Sequence, residues 1–196
     1  MVPMSTTPLL PPSSSFVANA FLEPSGPREE VIVNHATEEV LGRVASADGR
    51  DVDDAIGAAR QASDTGTWSS LTPRERSTAL EALVDVLAAD TRRILDLVVA
   101  ETGCPITAAA GHQVGIPLEH LRYWAEAARR PDLIAHPPRV TVRPDGSGVL
   151  GGWTVRREPY GVVAAITPNN FPFLQTVIKI GPAPPREIPW CSSHPR

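Results

Sequence analysis

Hydrophobic residues in the middle of the chain recur every three or four positions, which predicts a layer of amphipathic helices. One helix is predicted to begin at Thr72-Pro73, because threonine caps helices and proline suits the first helical position. Another is predicted to end at Gly103, since glycine commonly follows the last helical residue. Gly115 and Pro117 are expected to divide the last part of the layer into two helices. The predicted helical segments are 48–63, one from Thr72, one from about Thr91 to Gly103, 107–114 and 116–129.

Alternation of apolar and polar residues predicts two pairs of β-strands outside this layer. Segments 30–34 and 40–45 form one predicted hairpin, whose turn lies at residues 36–39. Segments 139–143 and 152–157 form the second predicted pair, on either side of Pro144-Asp145-Gly146. We expect the second pair to present an exposed edge, which favours association with another chain.

A continuous apolar run near the carboxyl end of the chain indicates a different kind of element. Residues 161–166 predict a strand covered on both faces, because the run is short and rich in β-branched residues. Thr167-Pro168-Asn169-Asn170 follows as a loop, in which two carboxamides can meet a ligand. From Pro172 the apolar spacing again predicts a helix. Judged without its context, Asn170 is more commonly a cap of that helix than a catalytic group.

Composition and charge narrow the class of protein. The 196 residues carry a net charge of −4 with mixed signs and no basic block, so we expect neither a nucleic acid nor an anionic membrane as partner. Only two cysteines, Cys104 and Cys191, are present, which predicts no disulfide framework and no metal site. No apolar run approaches about 18 residues and no signal-peptide pattern opens the chain, so a cytoplasmic location is expected. Residues 1–27 are rich in proline and serine and predict a disordered extension, although Phe16 and Phe21 could instead dock on a neighbouring surface.

Residues 158–183, EPYGVVAAITPNNFPFLQTVIKIGPA, follow a recognisable order of residue types. They match P-x-G-V-V-x-x-I-T-P-W-N-F-P and K-x-x-P-A-L almost without gaps, and in this respect the chain resembles the aldehyde dehydrogenase superfamily. Looser agreement upstream includes Asn34–Val44, which is similar to N-P-A-T-E-E-V-I-G-R-V, and Glu101-Thr102-Gly103. The resemblance covers roughly residues 31–183.

This resemblance implies an α/β fold, represented by the N-terminal part of the aldehyde dehydrogenase fold. Its expected parts are the helical layer, an oligomerisation arm made by the second strand pair, and the first strand and helix of a Rossmann-like domain. Because such an arm joins the sheet of a partner subunit, a homo-oligomer or association with a paralogue is implied.

The resemblance also implies chemistry, namely oxidation of an aldehyde to a carboxylate with NAD or NADP. Asn170 matches the asparagine whose side-chain amide donates to the developing oxyanion, a task that needs a fixed donor. Ile166, Thr167, Pro168 and Asn169 match the loop that lies against the dinucleotide, and Lys179 matches a lysine sometimes assigned to proton relay. Asn169 departs from the family pattern, which has tryptophan there, so the packing beside the cofactor is expected to differ.

The resemblance stops after Ala183, and residues 184–196 form a proline-rich tail without apolar periodicity. Deleting one base from a plausible coding sequence for the family continuation A-L-A-A-G-N-T-V-V-L-K-P-S-P yields this tail, which predicts out-of-frame translation. The family's nucleophilic cysteine and general-base glutamate are expected beyond this point. Cys191 lacks the G-Q-x-C context, and Cys104 is expected to be an incidental thiol.

Three functions remain open from the sequence. The first is a truncated and inactive aldehyde dehydrogenase, divided into an extension (1–27), an incomplete N-terminal region (28–183) and a non-family tail (184–196). The second is a non-catalytic module that associates with a full-length paralogue. The third is an independent helical binding module built on residues 48–130.

Overall fold

The computed structural model of the protein describes residues 15–156, 158–183 and 190–193. Its helices are α1 (Gly49–Thr65), α2 (Pro73–Ala89), α3 (Thr91–Thr102), a short α4 (Ile106–Ala108), α5 (Ile116–Ala127) and α6 (Pro172–Ile180). A 3₁₀ turn at Trp68–Ser70 precedes α2, and a π-helical segment at Ala109–Gly115 joins α4 to α5. The strands are β1 (Ser15–Val17), β2 (Ala20–Leu22), β3 (Glu29–Val33), β4 (Val40–Ala45), β5 (Leu133–Ala135), β6 (Arg139–Val142), β7 (Gly148–Gly151), β8 (Thr154–Arg156), β9 (Val163–Ile166) and β10 (Trp190–Ser193).

Local capping chemistry fixes the ends of the central helices, and three predicted helix ends are confirmed. Asp48 caps α1, and its side chain accepts from the backbone N–H of Arg50 and of Asp51. Thr72 and Glu75 form a capping box at the start of α2, where Pro73 occupies the first turn. Gly103 ends α3 in the left-handed conformation, with φ of +67°, which glycine adopts at little cost.

The core lies between α2, α5 and α6. One cluster joins Leu80 of α2 to Ala125 and Ala128, and Trp68 packs against it. A second cluster joins Val84 of α2, Leu121 of α5 and Val177 of α6. Val177 is only 1% exposed, so α6 is held to the helical layer through this second cluster.

The helical layer continues through Gly115 and Pro117, where the sequence predicted a break. In the π-helical segment the N–H of Ile116 donates to the carbonyl of Gly111, five residues earlier. The wider π turn accommodates Pro117, which has no N–H to donate, at the start of α5 without ending the helix. The prediction of two separated helices is therefore wrong.

The arm has a different strand pairing from the predicted one. β6 pairs antiparallel with β7, and Arg139 lies opposite Gly151, whereas 139–143 was predicted to face 152–157. A compact turn sets this register: the N–H of Arg143 donates to the Ser147 carbonyl at 2.8 Å, and Gly146 has φ of +84°.

A second strand pair, β5 with β8, continues the arm towards the helical layer. Residues 136–138 separate β5 from β6, and two of them are Pro137 and Pro138, which cannot donate to a ladder. Every residue of β5, β6, β7 and β8 is exposed, as expected of an edge that projects from the core.

A β-hairpin occupies residues 15–22, within the segment that was predicted to be disordered. β1 pairs with β2, and the rings of Phe16 and Phe21 meet edge to face at 5.1 Å. Its two-residue turn has positive φ at both Ala18 and Asn19, the geometry that suits a tight hairpin. The prediction of a disordered extension is wrong for this part, because no glycine marked the turn. Residues 1–14 lie outside the described part of the chain.

β9 pairs in parallel with β10, and Val163 lies opposite Trp190. A strand at residues 190–193 was not predicted, because the tail that contains it shows no apolar periodicity. Backbone hydrogen bonds of a parallel pair do not depend on side-chain identity, which allows this segment to extend along β9. The prediction that this strand is covered on both faces is also wrong. Ala165 is buried but Ile166 is 60% exposed, so β9 is covered on one face.

The Asp51 carboxylate provides a pH-dependent link between α1 and the preceding segment. It accepts from the N–H of Asp48 at 2.9 Å and of Ser25 at 2.8 Å, and these bonds, in that order, lower the pKa of the Asp51 carboxyl below its ordinary 3.8. Because the folded-state pKa is the lower one, this stabilisation exists above the unfolded pKa and is lost as pH falls through the folded value. The difference in unfolding free energy between the protein and Asp51→Asn should therefore be greatest above about pH 4 and shrink below it. Denaturant titrations at several pH values measure this difference, and a constant difference at all pH values contradicts the assignment.

Candidate active site

The loop after β9 brings the predicted site residues to the carboxyl end of a parallel strand. In α/β sheets this is the end outside which ligands bind. Pro168, Asn169 and Asn170 are exposed there, whereas the side chain of Thr167 is fully buried. The loop therefore presents a short polar surface, anchored below by Thr167, immediately before α6.

The junction with α6 is a strained backbone. Phe171, the residue that precedes the first helical residue, has φ of +52° and ψ of +53°. For a residue with a Cβ this left-handed conformation costs about 1–2 kcal/mol. No side chain caps the start of this helix. In its first turn the N–H of Gln175 donates to the Phe171 carbonyl at 2.8 Å.

Close packing around a glycine holds the far end of α6. Gly181 is buried, and a Cβ at this position would lie 2.5 Å from Cδ1 of Trp124 and 2.8 Å from the Val177 carbonyl. α6 can therefore approach α5 only because this residue has no side chain. This contact and the burial of Val177 fix the position of α6, and therefore of the loop that precedes it.

Gly181→Ala is expected to lower the free energy of unfolding by about 1–3 kcal/mol, the usual cost of overpacking. The indole of Trp124 would have to move, because the other close atom belongs to the backbone. Gly57→Ala is the matched control: Gly57 lies within α1 with nothing within 4 Å of the added methyl group. The control should be neutral or more stable by up to about 1 kcal/mol, since alanine favours helix. Urea unfolding followed by circular dichroism compares the two, and equal effects contradict the packing argument.

The entry to β9 also depends on one glycine. Gly161 has φ of +92°, and a Cβ there would lie 2.6 Å from Nη1 of Arg60 on α1. Gly161 was predicted only as part of the apolar run. Its positive φ shows that the chain turns sharply against α1 before it enters the strand.

The structure separates two of the predicted site residues. Asn170 lies just before α6, while Lys179 is exposed in its last turn, roughly 10 Å along the helix from Pro172 at ~1.5 Å per residue. Asn170 is not the N-cap, a role that falls to Phe171, so the alternative of a capping asparagine does not apply. The strain at Phe171 was not predicted, because proline at residue 172 favours an extended conformation for the residue before it.

Cys104 is the candidate nucleophile whose surroundings the structure describes. Cys104 follows α3 and is half-buried, with its Sγ 3.7 Å from the Pro105 carbonyl oxygen. Within residues 15–156, 158–183 and 190–193, no three His, Cys, Asp or Glu side chains come together as a metal site. No helix in this described part is long and apolar enough to cross a membrane.

Comparison with known sequences places most of the chain in one family. The sequence model described as "Aldehyde dehydrogenase family" matches residues 21–184. An aminoacetaldehyde dehydrogenase of Pseudomonas aeruginosa is 37% identical over 175 residues, which are 88% of this chain and 33% of that protein. A geranial dehydrogenase of Castellaniella defragrans is 33% identical over 168 residues, 86% of this chain and 34% of that protein. The chain thus spans about a third of the length of these relatives.

Solved structures agree with this assignment. PnpE in complex with nicotinamide adenine dinucleotide superposes with a TM-score of 0.79 at 27% identity, covering 93% of this chain and 35% of that one. A mutant betaine aldehyde dehydrogenase of Staphylococcus aureus, in its apo form, gives a TM-score of 0.82 at 25% identity, covering 95% and 36%. The expected α/β fold, as the N-terminal part of a larger one, is confirmed by these superpositions.

Proposed function

The chain belongs to the aldehyde dehydrogenase family, and from this premise we propose that residues 163–180 form the cofactor side of a site that oxidises an aldehyde to a carboxylate. The observation that carries the proposal is the position of Asn170. Its carboxamide is exposed between a parallel strand and a helix, and it does not cap that helix. A neutral amide held there can donate to a developing oxyanion without titrating.

The loop fits a dinucleotide, either NAD or NADP, in a specific way. Ile166, Pro168 and Asn169 are exposed and can contact it, whereas the buried Thr167 can only support the loop from below. The structural neighbour PnpE, solved with nicotinamide adenine dinucleotide, supports this choice of cofactor. A dinucleotide held there would supply an acceptor for the hydride that leaves the substrate carbon. The chain's own residues hold the dinucleotide and donate to the substrate oxygen.

A role for Lys179 in proton relay has weaker support. Its ammonium lies at the far end of α6 from Asn170, on an exposed position. We propose Lys179 for proton relay because it matches the family lysine. This role requires segments packed against that end of the helix.

We further propose that these 196 residues do not complete the reaction, and that residues 184–196 are translated out of frame. The support is chemical: the family reaction needs a thiolate nucleophile and a base, and the thiol of Cys104 contacts a carbonyl oxygen beyond α3. Cys191 lies in a tail that departs from the family sequence. The pairing of β10 with β9 concerns the backbone and does not bear on the reading frame.

Two measurements test this proposal. Purified chain, free of any longer relative, should not reduce NAD or NADP in the presence of aminoacetaldehyde or other aldehydes. Stoichiometric reduction contradicts the claim of an incomplete site. The nucleotide sequence beyond codon 183 should encode Lys-Pro-Ser when it is read in a frame shifted by one base from codons 1–183. If it does not, the frameshift proposal is wrong, but the proposed role of Asn170 is unaffected.

A second function, association with a full-length paralogue or with itself, is favoured by the exposed arm. Val142 and Leu150 are 69% and 71% exposed on β6 and β7, where they would pack in a partner's sheet. We expect the arm to take part in a homo-oligomer or a mixed oligomer. Size-exclusion chromatography of Val142→Lys and Leu150→Lys tests this, with Ser147→Lys in the turn as the control. Unchanged elution of all three argues against association through the arm.

A further inference from the structure

The left-handed backbone conformation of Phe171 is not explained by its side chain. Phenylalanine is not a residue that favours a left-handed conformation, and the following Pro172 ordinarily directs its neighbour to an extended one. We propose that Phe171 and Pro172 act together as positioning residues, which keep the Asn170 carboxamide from becoming the cap of α6. The inference rests on the proposed function in one respect, namely that Asn170 is the group worth keeping free.

The competing state is a helix that begins one residue earlier. If Phe171 adopted the right-handed helical conformation, Asn170 would become the N-cap, and asparagine is among the best residues for that position. Its side-chain oxygen would then accept from the N–H of Phe173, which is the third residue of such a helix. The carboxamide would be committed to the backbone and its orientation would be set by the helix.

Pro172 prevents this state. Its ring clashes with a helical residue before it, so Phe171 cannot easily extend α6 towards Asn170. It also lacks an N–H, which removes one of the two donors that an Asn170 cap could use. The helix therefore starts at Pro172, with the Phe171 carbonyl accepting from Gln175 at 2.8 Å. A further bond from Thr176 Oγ1 to the Pro172 carbonyl, also 2.8 Å, fixes this first turn.

The left-handed turn at Phe171 completes the arrangement. It changes the direction of the chain between the loop and α6, so that Asn170 lies outside the helix and remains exposed. A cap would engage only the side-chain oxygen of Asn170, but it would fix the direction in which the NH₂ group points. Excluding the cap therefore leaves the NH₂ group free to turn towards an oxyanion, and the strained backbone at Phe171 accompanies that exclusion.

Amide hydrogen exchange at Phe173 tests the proposal in a double-mutant cycle on the full chain. Pro172→Ala should allow Asn170 to cap the helix, slow exchange of the Phe173 amide about fivefold, and shift the side-chain NH₂ resonances of Asn170. Asn170→Ala in the Pro172→Ala background should restore fast exchange. In the parent chain Asn170→Ala should leave the exchange rate of Phe173 unchanged within about twofold. If Pro172→Ala leaves both signals as in the parent, or if Asn170→Ala has the same effect in both backgrounds, the proposal is wrong.

Phe171→Gly separates positioning from packing of the ring. Glycine keeps the left-handed conformation at no steric cost, so the NH₂ resonances of Asn170 and the exchange of Phe173 should remain as in the parent. If the ring were the important feature, this variant would move the resonances and Pro172→Ala would not. The cycle measures capping and does not depend on turnover, so a failure of the aldehyde assays leaves its result interpretable.

Discussion

Asp132→Ala is expected to lower the free energy of unfolding by about 2–3 kcal/mol, because it leaves a buried guanidinium without its carboxylate, which is itself 37% exposed. The side chain of Arg76 is only 6% exposed, and its Nη2 lies 2.8 Å from Asp132 Oδ2. Nη1 donates to the Leu71 carbonyl at 2.9 Å, and this bond remains in the variant. The pair connects α2 to the segment after α5, so its loss weakens the packing of α2 against α5. Urea unfolding at neutral pH measures the effect.

Glu29→Ala provides the control for a surface ion pair. Arg43 and Glu29 lie 3.1 Å apart, but their side chains are 57% and 56% exposed, so water screens the pair. Its loss should change the free energy of unfolding by less than about 1 kcal/mol. Similar losses for Asp132→Ala and Glu29→Ala contradict the view that burial of Arg76 decides the outcome.

Local chemistry was sufficient to predict where most helices begin and end. The Thr72-Pro73 start and the Gly103 end depend on groups within one turn of the residue concerned, so the sequence carries the whole signal. The hairpin of β3 and β4 belongs to the same class, since its turn is closed by Asn34, whose Oδ1 accepts from the N–H of Ala36 at 2.8 Å.

Features that depend on distant partners were predicted poorly. The π-helical segment forms within the packed helical layer, and nothing in Gly115 or Pro117 alone indicates a wider turn. The register of the arm was misplaced because the turn at Arg143–Ser147 decides it, not the alternation of the strands. Pairing of β10 with β9 joins segments separated by a whole helix, which periodicity cannot reveal.

The candidate site shows the same division. The order of residue types predicts Asn170 and its neighbours as site residues. In the structure Thr167, Pro168, Asn169 and Asn170 form the loop after β9. The left-handed Phe171 and the close approach of Gly181 to Trp124 required coordinates, because both result from how α6 meets the rest of the fold. Asn170 thus stays a site residue proposed from its motif, whereas the left-handed backbone beside it is visible only in the folded structure.

The proposed frameshift predicts a longer product when the reading frame is restored after Ala183, and in that product Asn170→Ala is expected to lower kcat by about 10²–10³-fold. Under the proposed function, this substitution removes a donor to the developing oxyanion. Because the interaction strengthens in the transition state, KM for the aldehyde should change much less than kcat. Steady-state kinetics with NAD or NADP measure both constants.

Asn169→Ala is the matched control, since it removes the same group from the neighbouring exposed position. Asn169 is proposed to contact the dinucleotide, so its loss should raise KM for the cofactor and leave kcat within about tenfold. Asn170→Asp adds a second comparison: it keeps the shape of the side chain but replaces the donor with a negative charge that repels the oxyanion. It should be at least as damaging as alanine. Equal losses of kcat for Asn169→Ala and Asn170→Ala would instead mean that the loop acts by its conformation, and that no single carboxamide stabilises the oxyanion.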